Sequence, residues 1–474
     1  MVLFGLPPNV PCVEIVFCTT KISTCSATTA SYMLSPMVEF MTFNEAKSST
    51  MKTVLAHSME RLEWQRDIYK RMHQHPELSG TEQWTAQMIC NELDQFDCKV
   101  TTHIGGYGIV AVFHNGDGPC VLMRADFDGL PVLELTGAEF ASTRKQDRNG
   151  TLVPVMHACG HDMHTTALLG CCAALNAHRD AWSGTFVALF QPSEENGQGA
   201  AAMVADGLGR AIPRPDVCFG QHIVPGPAGQ VMTMPGPALA ACDSIEIIIT
   251  GRSAHGSMPH NAIDPTYIAS MIVIRLQGIV GREIPPDQFA VVSVGTLESG
   301  NSNNTIPGTA RIVVNCRMYD EGVRDTLYSA IERVVRAECA AQSTTVDPTF
   351  RYFAHGPLTS NNSEVFAAVR PQLDAHFGDK STQAEKWTAS EDFSNIPDAF
   401  QAPYLFWTVG CTPQQQWEAA CEAGTIDQDI PVNHSGTFLP DFVPTVTSST
   451  QAAIIAVLSY LTPDTHPQSD LAHN

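Results

Sequence analysis

Basic side chains are scarce in this 474-residue chain. Lys and Arg number 27 against 49 Asp and Glu, a formal charge of −22. That balance repels phosphate backbones and anionic lipid surfaces, so neither nucleic acid nor a membrane is an expected partner. Long apolar runs are missing too. None reaches the roughly 18 residues that a membrane span requires, and the two best stretches, 267–276 and 452–461, read as core helices. No Lys or Arg precedes Lys21, Glu14 intrudes, and Pro7, Pro8 and Pro11 break the apolar start, which therefore lacks the pattern of a signal peptide. Residues 1–50 read as a poorly specified extension and 465–474 as a tail. Cysteine lacks the arithmetic of a disulfide framework. Fifteen is an odd count, and Cys90, Cys120, Cys171, Cys172, Cys218 and Cys316 lie in apolar contexts, as small buried hydrophobes do. A reducing, cytoplasmic compartment is expected.

At about 150 residues per domain, the length allows two or three domains. From residue 58 onward helical and extended patterns alternate. Helical spacing runs over 59–72, 85–96, 165–177 and 199–207, and short apolar strands over 109–114, 120–125, 185–190 and 217–219. This is the rhythm of an α/β sheet with ligands at the carboxyl ends of its strands. A different rhythm follows: a β-branched run at 245–250, a helix at 265–280, strands at 290–295 and 311–317, and a helix at 324–340. That β-α-β-β-α order suits a small self-contained α+β unit. It reads as an insertion over 242–353 between two parts of one larger domain, 51–241 and 354–464. No internal repeat is evident.

The densest chemical cluster is Met156-His157-Ala158-Cys159-Gly160-His161-Asp162-Met163-His164. A lone His or Cys is usually a satisfied core residue, but a thiol and three imidazoles so close together is a composition that metal sites use. Gly160 lets Cys159 and His161 turn toward one point. A second cluster, Gln191-Pro192-Ser193-Glu194-Glu195-Asn196-Gly197, follows a continuously apolar strand. Adjacent carboxylates at a strand end point in different directions, so one can hold metal while the other serves as general base. His222 and His434 each follow a short apolar run, and Arg124-Ala125-Asp126-Phe127-Asp128-Gly129-Leu130-Pro131 puts acids at another strand end. Of four Asn-X-Ser/Thr triplets, at Asn149, Asn303, Asn361 and Asn433, two fall in motifs of the candidate site. A glycan there would block it.

Together these pieces resemble the metal-dependent amidohydrolases of peptidase family M-twenty, in particular the aminoacylase, hippurate hydrolase and indole-acetyl-amino-acid hydrolase subfamily. The resemblance runs over about 62–461. It also includes His73-Gln74-His75-Pro76-Glu77-Leu78, Gly251-Arg252-Ser253-Ala254-His255, Asn304-Thr305-Ile306-Pro307-Gly308 and Ser390-Glu391-Asp392-Phe393. It implies a metallopeptidase-like catalytic domain with a central mixed sheet flanked by helices, interrupted by a lid that also forms a homodimer. It implies two divalent ions, zinc first with manganese or cobalt open, on Cys159, His161, Glu195, His222 and His434. It implies Glu194 as general base, Asp128 as the acid that orients a ligand, His255 as oxyanion stabiliser across the dimer and Asn304 as a substrate contact. The implied reaction is hydrolysis of an N-acyl amino acid or small peptide conjugate. The same metal site run toward amide formation or on a natural product, and a carboxypeptidase or dipeptidase, are the alternatives. Arg252 and Ser253 are bulkier than usual at their positions, and the residues after His434 depart from common versions, which points to an atypical substrate.

Overall fold

The computed structural model describes residues 51–462; the expected extension 1–50 and tail 465–474 lie outside the described residues. Helix α1 (Leu62–Gln74) buries Ile68, Tyr69, Met72 and His73, one face of a 3.6-residue period. Helix α2 (Gln83–Leu93) begins where the Glu77 carboxylate accepts from the backbone N–H groups of Trp84 and Thr85, at 3.1 and 2.8 Å. Those donors have no partner within the helix, so the carboxylate caps it. Then come β1 (Lys99–Ile104), β2 (Gly108–Asn115), β3 (Cys120–Asp126), α3 (His161–Ala177), β4 (Gly184–Gln191), β5 (Val217–Pro227) and β6 (Val231–Thr233).

A second sheet follows. Strand β7 (Ala241–Thr250), α4 (Pro265–Glu283), β8 (Ala290–Ser299), β9 (Thr309–Met318), α5 (Glu321–Ala341) and β10 (Thr349–Gly356) form it in the order β8-β9-β7-β10, all antiparallel. Alternate residues of β9 are buried, and Ile245, Ile247, Ile312 and Val314 pack with Ile272 and Leu276 of α4 and Leu327 and Ile331 of α5. Asp264 and Asp320 cap the two helices. The closing strand β10 runs to Gly356, beyond the boundary at 353 that the sequence suggests.

The chain then returns through α6 (Ser363–Phe377), β11 (Ser381–Gln383), β12 (Tyr404–Thr412) and α7 (Phe442–Leu461). The main sheet has the order β1-β2-β4-β3-β5-β12-β6-β11, mixed, with β4, β3, β5 and β12 parallel. All eight residues of β4 are buried, as a central strand covered on both faces requires. Register sets the site: Asp126 pairs with Gln191, Arg124 with Gly220, and His222 with Thr408. The carboxyl ends of β3 and β4 and the middle of β5 therefore open on one crevice.

Three elements extend past the apolar runs that announced them. Strand β5 continues from Phe219 through Gly220, Gln221 and His222 to Pro227; helix α3 starts at His161; helix α7 starts at Phe442. In each case buried polar residues (Gln221 and His222; Asp162 and His164; Thr445, Ser448 and Ser449) interrupt the hydrophobic pattern while staying inside. Helix α7 is long and apolar enough to cross a membrane, and 72 % of that stretch is buried against the protein itself.

Helices α1 and α3 are tied by His73, whose Nδ1 lies 2.7 Å from Asp162 and whose Nε2 lies 3.0 Å from Glu134. Burial alone lowers an imidazole pKa, but the hydrogen bonds to Asp162 and Glu134 outweigh it and raise His73 from 6.5 to about 9. The stabilisation is complete below the unfolded value near 6.5 and is lost as pH rises through about 9. A shift of that size corresponds to roughly 3 kcal/mol. We expect His73→Gln to lower Tm most near pH 6, with the gap to wild type narrowing toward pH 10 in thermal melts; a gap independent of pH would rule the ion pair out as its source.

Candidate metal centre

Five side chains proposed as ligands converge at the crevice. Cys159 ends the loop before α3, His161 opens that helix, Glu195 follows β4, His222 lies on β5 and His434 lies in the loop before α7. Gly160 joins the first two in a left-handed conformation, φ +84°, and a Cβ there would lie 2.3 Å from Ile223 Cδ1. His434 also has a positive φ, 69°, and its N–H donates to Ala158 O at 2.7 Å, holding the loop against the Cys159 turn. Asn433 Nδ2 donates to Cys159 O and Ile223 O at 3.3 and 3.2 Å.

Two of the histidines are aimed by their second nitrogen. His222 Nδ1 donates to Ile223 O at 2.7 Å, which turns Nε2 to within 3.4 Å of Cys159 Sγ. His161 Nδ1 pairs with Asp128 Oδ1 at 3.1 Å, and its Nε2 lies 3.7 Å from Glu195 and 3.9 Å from Glu194. His434 Nε2 is 3.4 Å from the other Glu195 oxygen. His164, from the same motif, is different: Asp126 engages Nδ1 at 2.6 Å and the Ile223 N–H donates to Nε2 at 2.9 Å, so both nitrogens are committed. Asp128 does three things at once, accepting from Ser79 Oγ at 2.7 Å and from the Glu195 N–H at 3.0 Å besides orienting His161.

The donor set fits a divalent cation. An ion with nitrogen ligands at about 2.0 Å and sulfur at about 2.3 Å holds tetrahedral neighbours roughly 3.3–3.6 Å apart, and three pairs come near that, Cys159–His222 at 3.4 Å, His434–Glu195 at 3.4 Å and His161–Glu195 at 3.7 Å. Buried His161 Nε2 and Glu195 Oε1 have no hydrogen-bond partner, which is costly unless a ligand engages them. Cys159 Sγ belongs to two groups of close donors, one with His161 and His222 and one with Glu195 and His434. Charge points the same way. Burial, then Glu195 and Glu194, pushes the Cys159 thiol well up. Burial, then Glu391 and Glu195, does the same to the Glu194 carboxyl. Burial lowers His161, but Asp126, Asp128 and Glu195 outweigh it and raise it to about 10. Such an excess of negative charge is what a cation relieves, releasing protons from its ligands.

Several residues here carry no local sign of their role in the sequence. Arg124, fully buried, reaches Asp126 at 2.6 Å, Glu391 at 2.8 Å, Asp392 at 3.3 Å and Gln191 at 2.8 Å. Gln191 and the Ala200 N–H also donate to Asp392, at 2.6 and 3.0 Å. An open cavity of about 410 Å³ leads to the ligands, with Arg317, His355, Ser390, Leu239 and Trp387 on its other walls. The Trp387 ring meets His222 edge to face, centroids 5.5 Å apart. His255 and Asn304 are not brought to this cavity. They sit exposed on the second sheet's side, hydrogen-bonded to each other at 3.1 Å.

If the turn between Cys159 and His161 sets the ligand geometry, Gly160→Ala carries a left-handed penalty of about 1–2 kcal/mol plus the Ile223 contact. We expect zinc affinity to fall about tenfold or more with circular dichroism unchanged; wild-type affinity by competition with a chelating dye would contradict this.

The model of peptidase family M20/M25/M40 matches residues 122–426, a span that takes in Cys159, His161, Glu194, Glu195 and His222. Hippurate hydrolase of Campylobacter jejuni is 34% identical over 343 residues, 72% of this chain and 86% of that protein. Thermostable carboxypeptidase 2 of Saccharolobus solfataricus is 33% identical over 384 residues, 80% of this chain and 91% of that protein. The crystal structure of Bacillus subtilis YXEP, described as a dinuclear metal binding peptidase, is 27% identical and superposes with a TM-score of 0.68 over 85% of this chain and 99% of that one. With the family model spanning well over half its length, the chain belongs to peptidase family M20/M25/M40.

Proposed function

We propose that the protein is a metal-dependent amidohydrolase that cleaves the amide bond of N-acyl amino acids or small peptide-like conjugates. The observation that carries this reading is the meeting, on one open cavity, of Cys159, Glu195, His222, His434 and the Glu194 carboxylate, with His161 grouped among the same donors. Cys159 would be shared between His161 and His222 on one side and Glu195 and His434 on the other. When bound, two divalent ions supply positive charge that polarises the amide carbonyl and acidifies water; a thiolate, imidazoles and a carboxylate suit zinc, with manganese or cobalt as alternatives.

The chain's own groups do the rest. Glu194 takes a proton from the attacking water and passes it to the leaving amine. Asp128 keeps His161 in one tautomer and fixes the Glu195 backbone. Arg317, on β9 and hydrogen-bonded to Ser390 at 3.0 Å, offers the cavity a cation for the carboxylate of the amino-acid half. His255 and Asn304 are proposed to act on the site of a second subunit, stabilising the oxyanion and contacting substrate. Their exposure and their place outside the cavity lining of their own chain support this. The inserted unit, 242–353 in the sequence reading and closed by β10 in the structure, would be the lid and dimerisation domain. The described cysteines are all free, which supports a reducing, cytoplasmic setting for the Cys159 thiol.

The test is a hydrolysis screen of N-acetyl and N-benzoyl amino acids against unblocked dipeptides, with zinc, manganese or cobalt loaded. Turnover of the acylated set is expected. Turnover of unblocked peptides alone would favour the carboxypeptidase reading, and net synthesis from acid plus amine would favour the amide-forming one. Glu194→Gln should keep its metal, by elemental analysis, and lose about 10²–10⁴-fold in kcat; full activity would end the general-base assignment.

Mixing inactive Glu194→Gln and His255→Ala chains should restore partial turnover, because a mixed dimer contains one site with both groups intact. No rescue, with mixed dimers verified by mass, would place His255 on its own subunit's site or on none.

A further inference from the structure

Glu82 immediately precedes α2, more than a hundred residues before the Glu194–Glu195 pair, yet it is wholly buried beside it. Its Oε1 accepts from the Ser193 N–H at 2.8 Å and from Ser193 Oγ at 3.2 Å, while Oε2 is buried without a partner. Ser193 itself has φ +57°, the left-handed region that a non-glycine residue rarely occupies unless its surroundings hold it there. That conformation turns the chain sharply as it leaves β4. The Ser193 carbonyl then accepts from the Gly199 N–H at 3.0 Å, and Glu194 O accepts from the Gly197 N–H at 2.7 Å. Two buried acids thus grip the loop by its backbone, Glu82 at Ser193 and Asp128 at Glu195. Glu194 lies between the two grips, and its side chain has no such anchor among the hydrogen bonds of the loop.

We infer that Glu82 is a positioning residue for the hydrolytic reaction: by holding the Ser193 backbone in its left-handed turn, it fixes the directions in which the Glu194 base and the Glu195 ligand project. The arrangement is costly to keep. Burial, then the nearby Asp128, raises the Glu82 carboxyl to about 7, so a carboxylate is retained where an apolar residue would be cheaper to bury. A misplacement of the base by about 1 Å costs on the order of a hundredfold in rate. The inference rests on the amidohydrolase reading for its kinetic readout but not for its spectroscopic one.

The experiment compares Glu82→Ala, Glu82→Gln and Glu82→Asp in the full-length protein. Glu82→Ala should lower kcat about a hundredfold with KM within a few-fold and Tm and metal content near wild type. Glu82→Gln, whose amide oxygen can accept the same N–H, should recover most of the loss. Glu82→Asp keeps the charge but withdraws the acceptor by one methylene, so it should stay impaired, and it serves if the alanine variant does not fold. In the cobalt-loaded protein, the visible absorption bands should shift in Glu82→Ala and Glu82→Asp, as Glu195 moves, and return to wild type in Glu82→Gln. Unchanged kcat and spectrum in the alanine and aspartate variants, or a glutamine variant no better than alanine, would overturn the inference. Absence of wild-type turnover on every N-acyl amino acid, with the cobalt bands still following this order, would instead overturn the amidohydrolase reading.

Discussion

Arg124 is the charge around which the crevice is arranged. Its guanidinium is fully buried at the end of β3, against Asp126, Glu391 and Asp392, with Gln191 completing the set. These partners come from β3, β4 and the segment before β12, so one side chain ties together stretches of chain that precede and follow the second sheet. Removing one partner of such a buried network typically costs about 3–5 kcal/mol, because the remaining charges are left uncompensated. The arrangement still leaves the crevice with surplus negative charge. Glu194, Glu195 and Asp128 lie around the same space, with His161 and His434 against them, and a cation would balance the remainder.

That surplus links the fold to the chemistry. Parallel strands end together, and their exposed ends collect polar residues that cannot enter the sheet. Asp126 then does double service, pairing with Arg124 on one side and His164 on the other. His164 in turn accepts from the backbone of Ile223, next to His222. The position of a ligand on β5 is therefore fixed by a chain of contacts that begins at Arg124. His73 has a similar part further out, holding Asp162 at the start of α3 while Glu134 holds its other nitrogen. Sites that depend on placement of a few tenths of an ångström need support of this kind.

Much of the site was legible along the chain because its chemistry is locally dense. Cys159, Gly160 and His161 are consecutive, Glu194 and Glu195 adjacent, and both groups follow strong hydrophobic signals. Element boundaries were less legible wherever function put polar residues inside. Strand β5 is eleven residues long, yet its apolar signal stops at Phe219 because Gly220, Gln221 and His222 follow it, His222 reaching the crevice while Gln221 accepts from Trp407 Nε1 at 3.1 Å. Helix α7 hid its first ten residues behind Thr445, Ser448 and Ser449, all buried. His157 and His164 looked equivalent to His161 as members of one motif. Only their surroundings separate them: His164 has both nitrogens engaged, and His157 has neither.

The sequence by itself determined the family, the α/β rhythm and the residue types able to hold metal, since each is written in spacing and composition over short stretches. Tertiary structure alone decided which acids share Arg124, which histidine nitrogen is free, and that Glu82 grips Ser193 across a sequence separation of 111. The physical reason is that a buried charge or an unpaired nitrogen is defined by its neighbours in space. The scarcity of basic residues gains its meaning there as well: with so few cations available, one arginine is buried among the acids of β3 and its neighbours, and the remaining negative charge is left to the metal centre.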